Sequence, residues 1–105
     1  MGPITNAIYP KPCWALNSAV AGQQLSATTT AAVQFSSLND ITTLVVLDIQ
    51  VANVYCTFDG TTPSSSRGHI LYATQSYTWS RATAAAAKFI GTTATATIWG
   101  SEFQV

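Results

Sequence analysis

A catalytic triad is the first chemistry that the residue types allow, because the chain holds many serines, a single histidine (His69) and the aspartates Asp40, Asp48 and Asp59. The turn that presents a nucleophilic serine in many hydrolases has the pattern GxSxG, and the sequence contains none. Asp59 precedes Gly60, a pair typical of a turn, and Asp48 is the polar position of an alternating strand, so neither requires a catalytic role. We predict no catalytic residue and no enzymatic activity.

A metal site is the second possibility, and it depends on Cys13, Cys56 and His69. The cysteines form no CxxC motif, and no two of these side chains have the close spacing of structural zinc ligands. Two distant cysteines in a chain without a secretory signal are more often buried free thiols than a disulfide. We predict free thiols, with a Cys13–Cys56 disulfide as the alternative, and neither a metal nor another cofactor.

Sugar binding is the third possibility, because aromatic rings on a β scaffold offer flat faces to sugars. The candidates are Trp14, Trp79, Trp99 and four tyrosines. Aromatic residues make up 10% of the chain, which is no excess and favours core or interface packing. Carbohydrate binding is therefore retained as the alternative function.

The scarcity of charge indicates a protein that associates. Lys and Arg number four and Asp and Glu number four, so 8% of residues are charged, where about 25% is usual. A formal net charge of zero removes the repulsion that keeps monomers apart, and this favours a homo-oligomer or a bound partner. The basic residues are scattered, which argues against nucleic-acid binding. No apolar run approaches the roughly 20 residues of a membrane-spanning helix.

The periodicity from residue 31 onwards predicts an all-β fold, a mainly antiparallel β-sandwich in one domain of residues 18–105. Short segments rich in Thr, Val, Ile and aromatic residues alternate with turn signals. The predicted strands are 32–35, 44–51, 53–58, 69–73, 76–80, 88–90 and 94–99. A helical turn is expected at 81–87, where alanine is concentrated. Within 44–51 the core-facing residues are predicted to be Val45, Leu47, Ile49 and Val51, and within 53–58 Phe58 shares a face with Val54 and Cys56.

Residues 1–17 are predicted to form an extended arm. Three prolines, Pro3, Pro10 and Pro12, exclude a helix or a central strand. Large apolar side chains in this segment need a surface to cover them, and they are the predicted interface residues: Ile4, Ile8, Tyr9 and Trp14. Docking on a neighbouring subunit is favoured, and folding back over an edge strand of the same domain is the alternative.

Four stretches carry a resemblance to a known group of proteins: residues 53–63 (NVYCTFDGTTP), 68–71 (GHIL), 88–90 (KFI) and 94–98 (ATATI). Together they resemble small structural proteins of tailed bacteriophages. This resemblance implies a β-sandwich that coats, cements or connects parts of a virion, and it brings no catalytic residues.

The expected function is therefore that of a non-enzymatic virion protein, a capsid decoration or cement subunit that bridges neighbouring shell subunits. Its expected partners are the major capsid protein or other virion subunits and further copies of itself, and its expected location is the capsid surface. The alternatives are a tail or fibre component that binds host carbohydrate and, outside viruses, a general adhesion or interaction domain.

Overall fold

The computed structural model describes residues 18–104, which contain seven β-strands and one short helix. In chain order these are β1 (Ser18–Ala27), β2 (Leu44–Gln50), β3 (Val54–Thr57), β4 (His69–Leu71), β5 (Ser76–Ser80), α1 (Arg81–Ala86), β6 (Lys88–Gly91) and β7 (Ala96–Gln104). The predicted arm, residues 1–17, lies outside the described residues.

The strands form two antiparallel sheets. A four-stranded sheet has the order β1-β7-β2-β5, and a three-stranded sheet has the order β4-β3-β6. Every pairing between the named strands is antiparallel. The prediction of an all-β, mainly antiparallel fold is confirmed.

Alternation of apolar and polar residues determines which face of each strand is buried. In β2, Val45, Leu47 and Ile49 are completely buried, whereas the residues between them retain exposure. The same period places Ala96 and Ile98 of β7 in the core. Buried residues of both sheets belong to one hydrophobic cluster.

Aromatic rings join the two sheets. Trp79 of β5 stacks on Phe89 of β6, with ring centroids 6.1 Å apart and planes inclined by 2°. Phe35, in the connection between β1 and β2, meets Phe89 edge-on at 5.7 Å. These contacts place Phe89 at the centre of the packing between the sheets.

The predicted helical turn is confirmed as α1. The Ser80 side chain accepts a hydrogen bond from the backbone N–H of Thr83 at 3.3 Å, which caps the start of the helix. Ala84 is the buried residue of the helix, and the chain returns to extended geometry at Ala87. Lys88 then starts β6, so the helix is a one-turn connection between the two sheets.

Three local predictions are wrong. Val51 does not face the core: β2 ends at Gln50, and Val51 is 78% exposed with a φ of 77° in the tight connection to β3. Phe58 follows the end of β3 and is 36% exposed. Residues 32–35 form no strand, because only Val33 makes a bridge, to Phe89.

Candidate functional site

The four predicted interface residues, Ile4, Ile8, Tyr9 and Trp14, lie outside the described residues, as does Cys13. Their role stays a prediction. Two surfaces of residues 18–104 are candidates for binding: a pocket beside Phe58, called here the Phe58 pocket, and the outer face of the four-stranded sheet.

The three aspartates that the sequence offered for catalysis lie at separate places. The Asp40 carboxylate is 3.8 Å from the Arg81 guanidinium, and Asp48 accepts a hydrogen bond from the Ser76 hydroxyl. Only Asp59 lies near His69, with which it lines the Phe58 pocket. Among the described residues, no serine lies within hydrogen-bonding distance of His69, and the structure brings no triad together there.

The Phe58 pocket is an open depression of about 430 Å³. Its lining residues are Thr57, Phe58, Asp59, Arg67, Gly68 and His69. The whole chain has four basic residues, four acidic residues and one histidine, and this pocket holds a member of each group. Such a concentration in a charge-poor chain marks the pocket as a candidate binding site.

Two glycines shape the pocket. Gly60, with a φ of 85°, turns the chain away from the end of β3 directly after Asp59. Gly68, with a φ of 112°, lies so close to β3 that a Cβ atom would stand 2.5 Å from the carbonyl oxygen of Cys56. Ser64 and Arg67 exchange two backbone hydrogen bonds, at 2.9 and 3.2 Å, which closes the intervening loop. The loop therefore returns Arg67 to the position where Phe58 leaves the sheet.

Phe58 is fixed by its aromatic neighbours. Its ring meets Trp79 edge-on with centroids 5.1 Å apart, and His69 lies 5.8 Å away at 45°. The ring nevertheless keeps 36% of its surface exposed. The sequence pattern predicted Phe58 within the strand, on the same face as Val54 and Cys56; the turn pair Asp59–Gly60 directly after it was the signal that the strand ends there.

Hydrogen bonds hold the carboxylate of Asp59 in its ionised form. It accepts bonds from the hydroxyl and the backbone N–H of Thr61, and these bonds lower the pKa of Asp59, with a smaller contribution from the positive charge of Arg67. On the opposite side of the turn, the Lys88 ammonium donates a hydrogen bond to the Gly60 carbonyl at 3.1 Å. The pocket therefore has a fixed acceptor, Asp59, beside the basic side chain of Arg67.

The two remaining tryptophans of the proposed sugar platform have different surroundings. Trp79 packs against Phe58, Phe89 and Tyr77, so its indole ring is part of the aromatic packing between the sheets. Trp99 is 45% exposed on β7.

Trp99 belongs to the second surface, which we call the outer sheet face. It consists of the outward-facing residues of β2 and β7, and its large apolar members are Leu44, Val46, Trp99 and Phe103. Leu44 pairs with Phe103, and Val46 pairs with Ser101, in adjacent positions of the sheet. Asp48, opposite Trp99, is the acidic residue on this patch. The outer sheet face is consequently apolar along one end of the sheet.

Cys56 is a free, fully buried thiol. Burial raises the pKa of Cys56 from 9.0 to about 12, because the low-dielectric interior disfavours the thiolate. No group of three or more potential metal ligands occurs within residues 18–104.

Cys56 is expected to be unreactive in the folded protein. In a Cys13→Ser variant, a thiol reagent at mildly alkaline pH should label Cys56 only after guanidinium chloride has unfolded the chain, because the thiolate is the reacting form. Rapid labelling of the folded variant would contradict this.

The thiol of Cys56 ionises more readily in the unfolded chain than in the folded one. The stability that the buried thiol contributes is therefore complete below pH 9.0 and is lost as pH rises towards about 12.

No protein-family model matches the chain, and comparison with curated proteins and with solved structures finds no match. Within the described part of the chain, no helix has the length and apolar character needed to cross a membrane.

Proposed function

We propose that the protein is a non-enzymatic structural subunit that acts by association, with a capsid decoration or cement subunit of a tailed bacteriophage as its setting. The outer sheet face is the single observation that carries this proposal. It is an apolar surface on the central strands of a sheet, in a chain where charged residues are too few to keep copies apart. The phage setting is supported by the sequence resemblance alone.

The N-terminal segment of a neighbouring copy is the proposed occupant of this face. Ser18 opens β1 opposite Gln104, the residue after Phe103, so the segment joins the sheet at the apolar end of the face. Trp14 precedes Ser18 by four residues, a reach of about 14 Å when extended. Pro10 and Pro12 favour extended geometry in the residues before them, and a stiff extended segment loses less entropy when it docks on a neighbouring copy.

Light scattering on the full chain and on a variant without residues 1–14 tests this proposal. The full chain is expected to form an oligomer near neutral pH, and the truncated chain is expected to be a folded monomer. Trp99→Ser in the full chain should also weaken the oligomer, because it removes apolar surface from the acceptor face. Tyr72→Ser is the matched control, since Tyr72 is 54% exposed but lies beyond the edge strand of the other sheet.

A full chain that stays monomeric at high concentration would overturn the proposal. If it is monomeric and truncation lowers its melting temperature, the segment covers its own domain. For the phage setting, electron microscopy of particles that carry the protein should find it on the shell; density only at the tail tip would contradict the cement role.

A further inference from the structure

We propose that the Phe58 pocket binds a sugar that bears a carboxylate, such as a uronic acid residue. This inference uses a different surface from the outer sheet face and does not depend on the proposed structural role.

The exposed ring of Phe58 supplies the apolar part of the site. Trp79 and His69 hold this ring in place, so a ligand would meet a surface that is already ordered. The C–H groups of a pyranose ring form an apolar face of the kind that packs on an aromatic side chain. A pocket of about 430 Å³ lies within the size range of small-molecule sites and accommodates a sugar ring.

Arg67 supplies the charge. No described residue accepts a hydrogen bond from its guanidinium, whose planar fork matches a carboxylate. Asp59 opposes an anion here, but its carboxylate is already bonded to Thr61, and Lys88 lies on the other side of the turn. Asp59 is the one acid that lines the pocket, and its bonds to Thr61 leave the Arg67 guanidinium available to pair with the carboxylate of a ligand.

Asp59 and His69 supply the groups that recognise hydroxyls. Asp59 is ionised and held by Thr61, which leaves lone pairs to accept hydrogen bonds from sugar hydroxyls. The imidazole of His69 has no hydrogen-bond partner among the described residues and borders the same space. Together, an apolar ring, a free guanidinium and a fixed acceptor match the three chemical parts of a uronic acid.

Titration of the full chain with D-glucuronate and D-galacturonate, followed by NMR of backbone amides, tests this proposal. The expected result is saturable binding with shifts confined to residues 57–69 and the adjoining Trp79. D-glucose and D-galactose are the matched ligands without the carboxylate, and acetate is the carboxylate without the ring. Each of these three should bind at least about tenfold more weakly, since a charge-assisted pair or the ring contact is then missing.

Arg67→Gln should weaken uronate binding by at least about tenfold and leave the fold unchanged, because the side chain is exposed. Gln50→Glu is the matched control: it changes the net charge by the same amount at an exposed position at the far end of β2, and it should leave binding unchanged. Phe58→Leu, with folding checked by thermal melting, should also weaken binding.

Four outcomes overturn the proposal. They are no saturable binding of either uronate, equal binding of the neutral sugars, equal binding of acetate at the same residues, and an Arg67→Gln variant that binds like the Gln50→Glu control.

Discussion

Replacement of Phe89 by alanine is expected to lower the free energy of unfolding by about 3 to 5 kcal/mol. The Phe89 side chain is completely buried, and its ring contacts Trp79 from the four-stranded sheet and Phe35 from the connection between β1 and β2. Alanine would remove both ring contacts and leave a cavity between the sheets that the surrounding strands cannot fully close. Urea denaturation followed by far-ultraviolet circular dichroism measures the loss.

Two variants calibrate this measurement. Phe89→Leu keeps most of the apolar volume and should lose less stability than Phe89→Ala. Tyr72→Ala removes a ring that is 54% exposed and should change the free energy of unfolding by no more than about 0.5 kcal/mol. A loss below about 1 kcal/mol for Phe89→Ala would show that the two sheets do not depend on this contact for their packing.

The sequence predicted those strands in which apolar residues alternate regularly. Residues 76–80 were predicted with the bounds that the structure has, and Val45, Leu47 and Ile49 were correctly placed in the core. The alanine-rich turn at 81–87 was also correct to one residue. In these segments, local preference and tertiary packing favour the same conformation.

Strand β1 shows why other segments were missed. Its sequence, SAVAGQQLSA, is rich in small and amide side chains and contains no run of β-branched residues, so it carries little intrinsic strand preference. It is a strand because it pairs with β7 from Ser18 opposite Gln104 to Ala27 opposite Ala96, with one register shift between Ala19 and Ala21. That pairing joins residues from the two ends of the described chain. Patterns within short segments of the sequence cannot reveal a contact between residues so far apart.

The Phe58 pocket was missed for a related reason. Alternation extended β3 to Phe58 and placed its ring on the same face as Val54 and Cys56, whereas the turn at Asp59–Gly60 ends the strand one residue earlier. Arg67 and His69 were assessed separately because they lie in a different segment. Their proximity to Phe58 depends on the close approach of Gly68 to Cys56, which is a tertiary contact.

Glu102 is the other residue that sequence analysis did not identify, and its replacement by alanine is expected to cost about 2 to 4 kcal/mol of folding free energy. It occupies an inward-facing position of β7 and is only 2% exposed. One carboxylate oxygen accepts hydrogen bonds of 2.8 Å from the backbone N–H of Asn39 and from the hydroxyl of Thr42. The acid therefore anchors the loop before β2 to the last strand.

Alanine at position 102 would leave the hydroxyl of Thr42, which is 3% exposed, and the N–H of Asn39 without their acceptor. The buried Thr42 hydroxyl costs about 1 to 3 kcal/mol when it loses its partner, and loss of the partly buried bond from Asn39 adds about 1 kcal/mol, which together give the expected effect. Gln104→Ala, an exposed change on the same strand, should be nearly neutral.

A double-mutant cycle with Thr42→Val separates the hydrogen bonds of Glu102 from a general effect of changing β7. Thr42→Val removes one donor and keeps the shape of the side chain, so the single variant should lose about 1 kcal/mol. The double variant should be less destabilised than the sum of the two single variants, because the bond between Thr42 and Glu102 can be lost only once. Urea denaturation of the four proteins gives the coupling energy. Strict additivity would mean that Glu102 stabilises the fold without its hydrogen bond to Thr42. The loop before β2 would then be held by other contacts, such as the hydrogen bond from the Arg81 guanidinium to the Asn39 carbonyl at 3.0 Å.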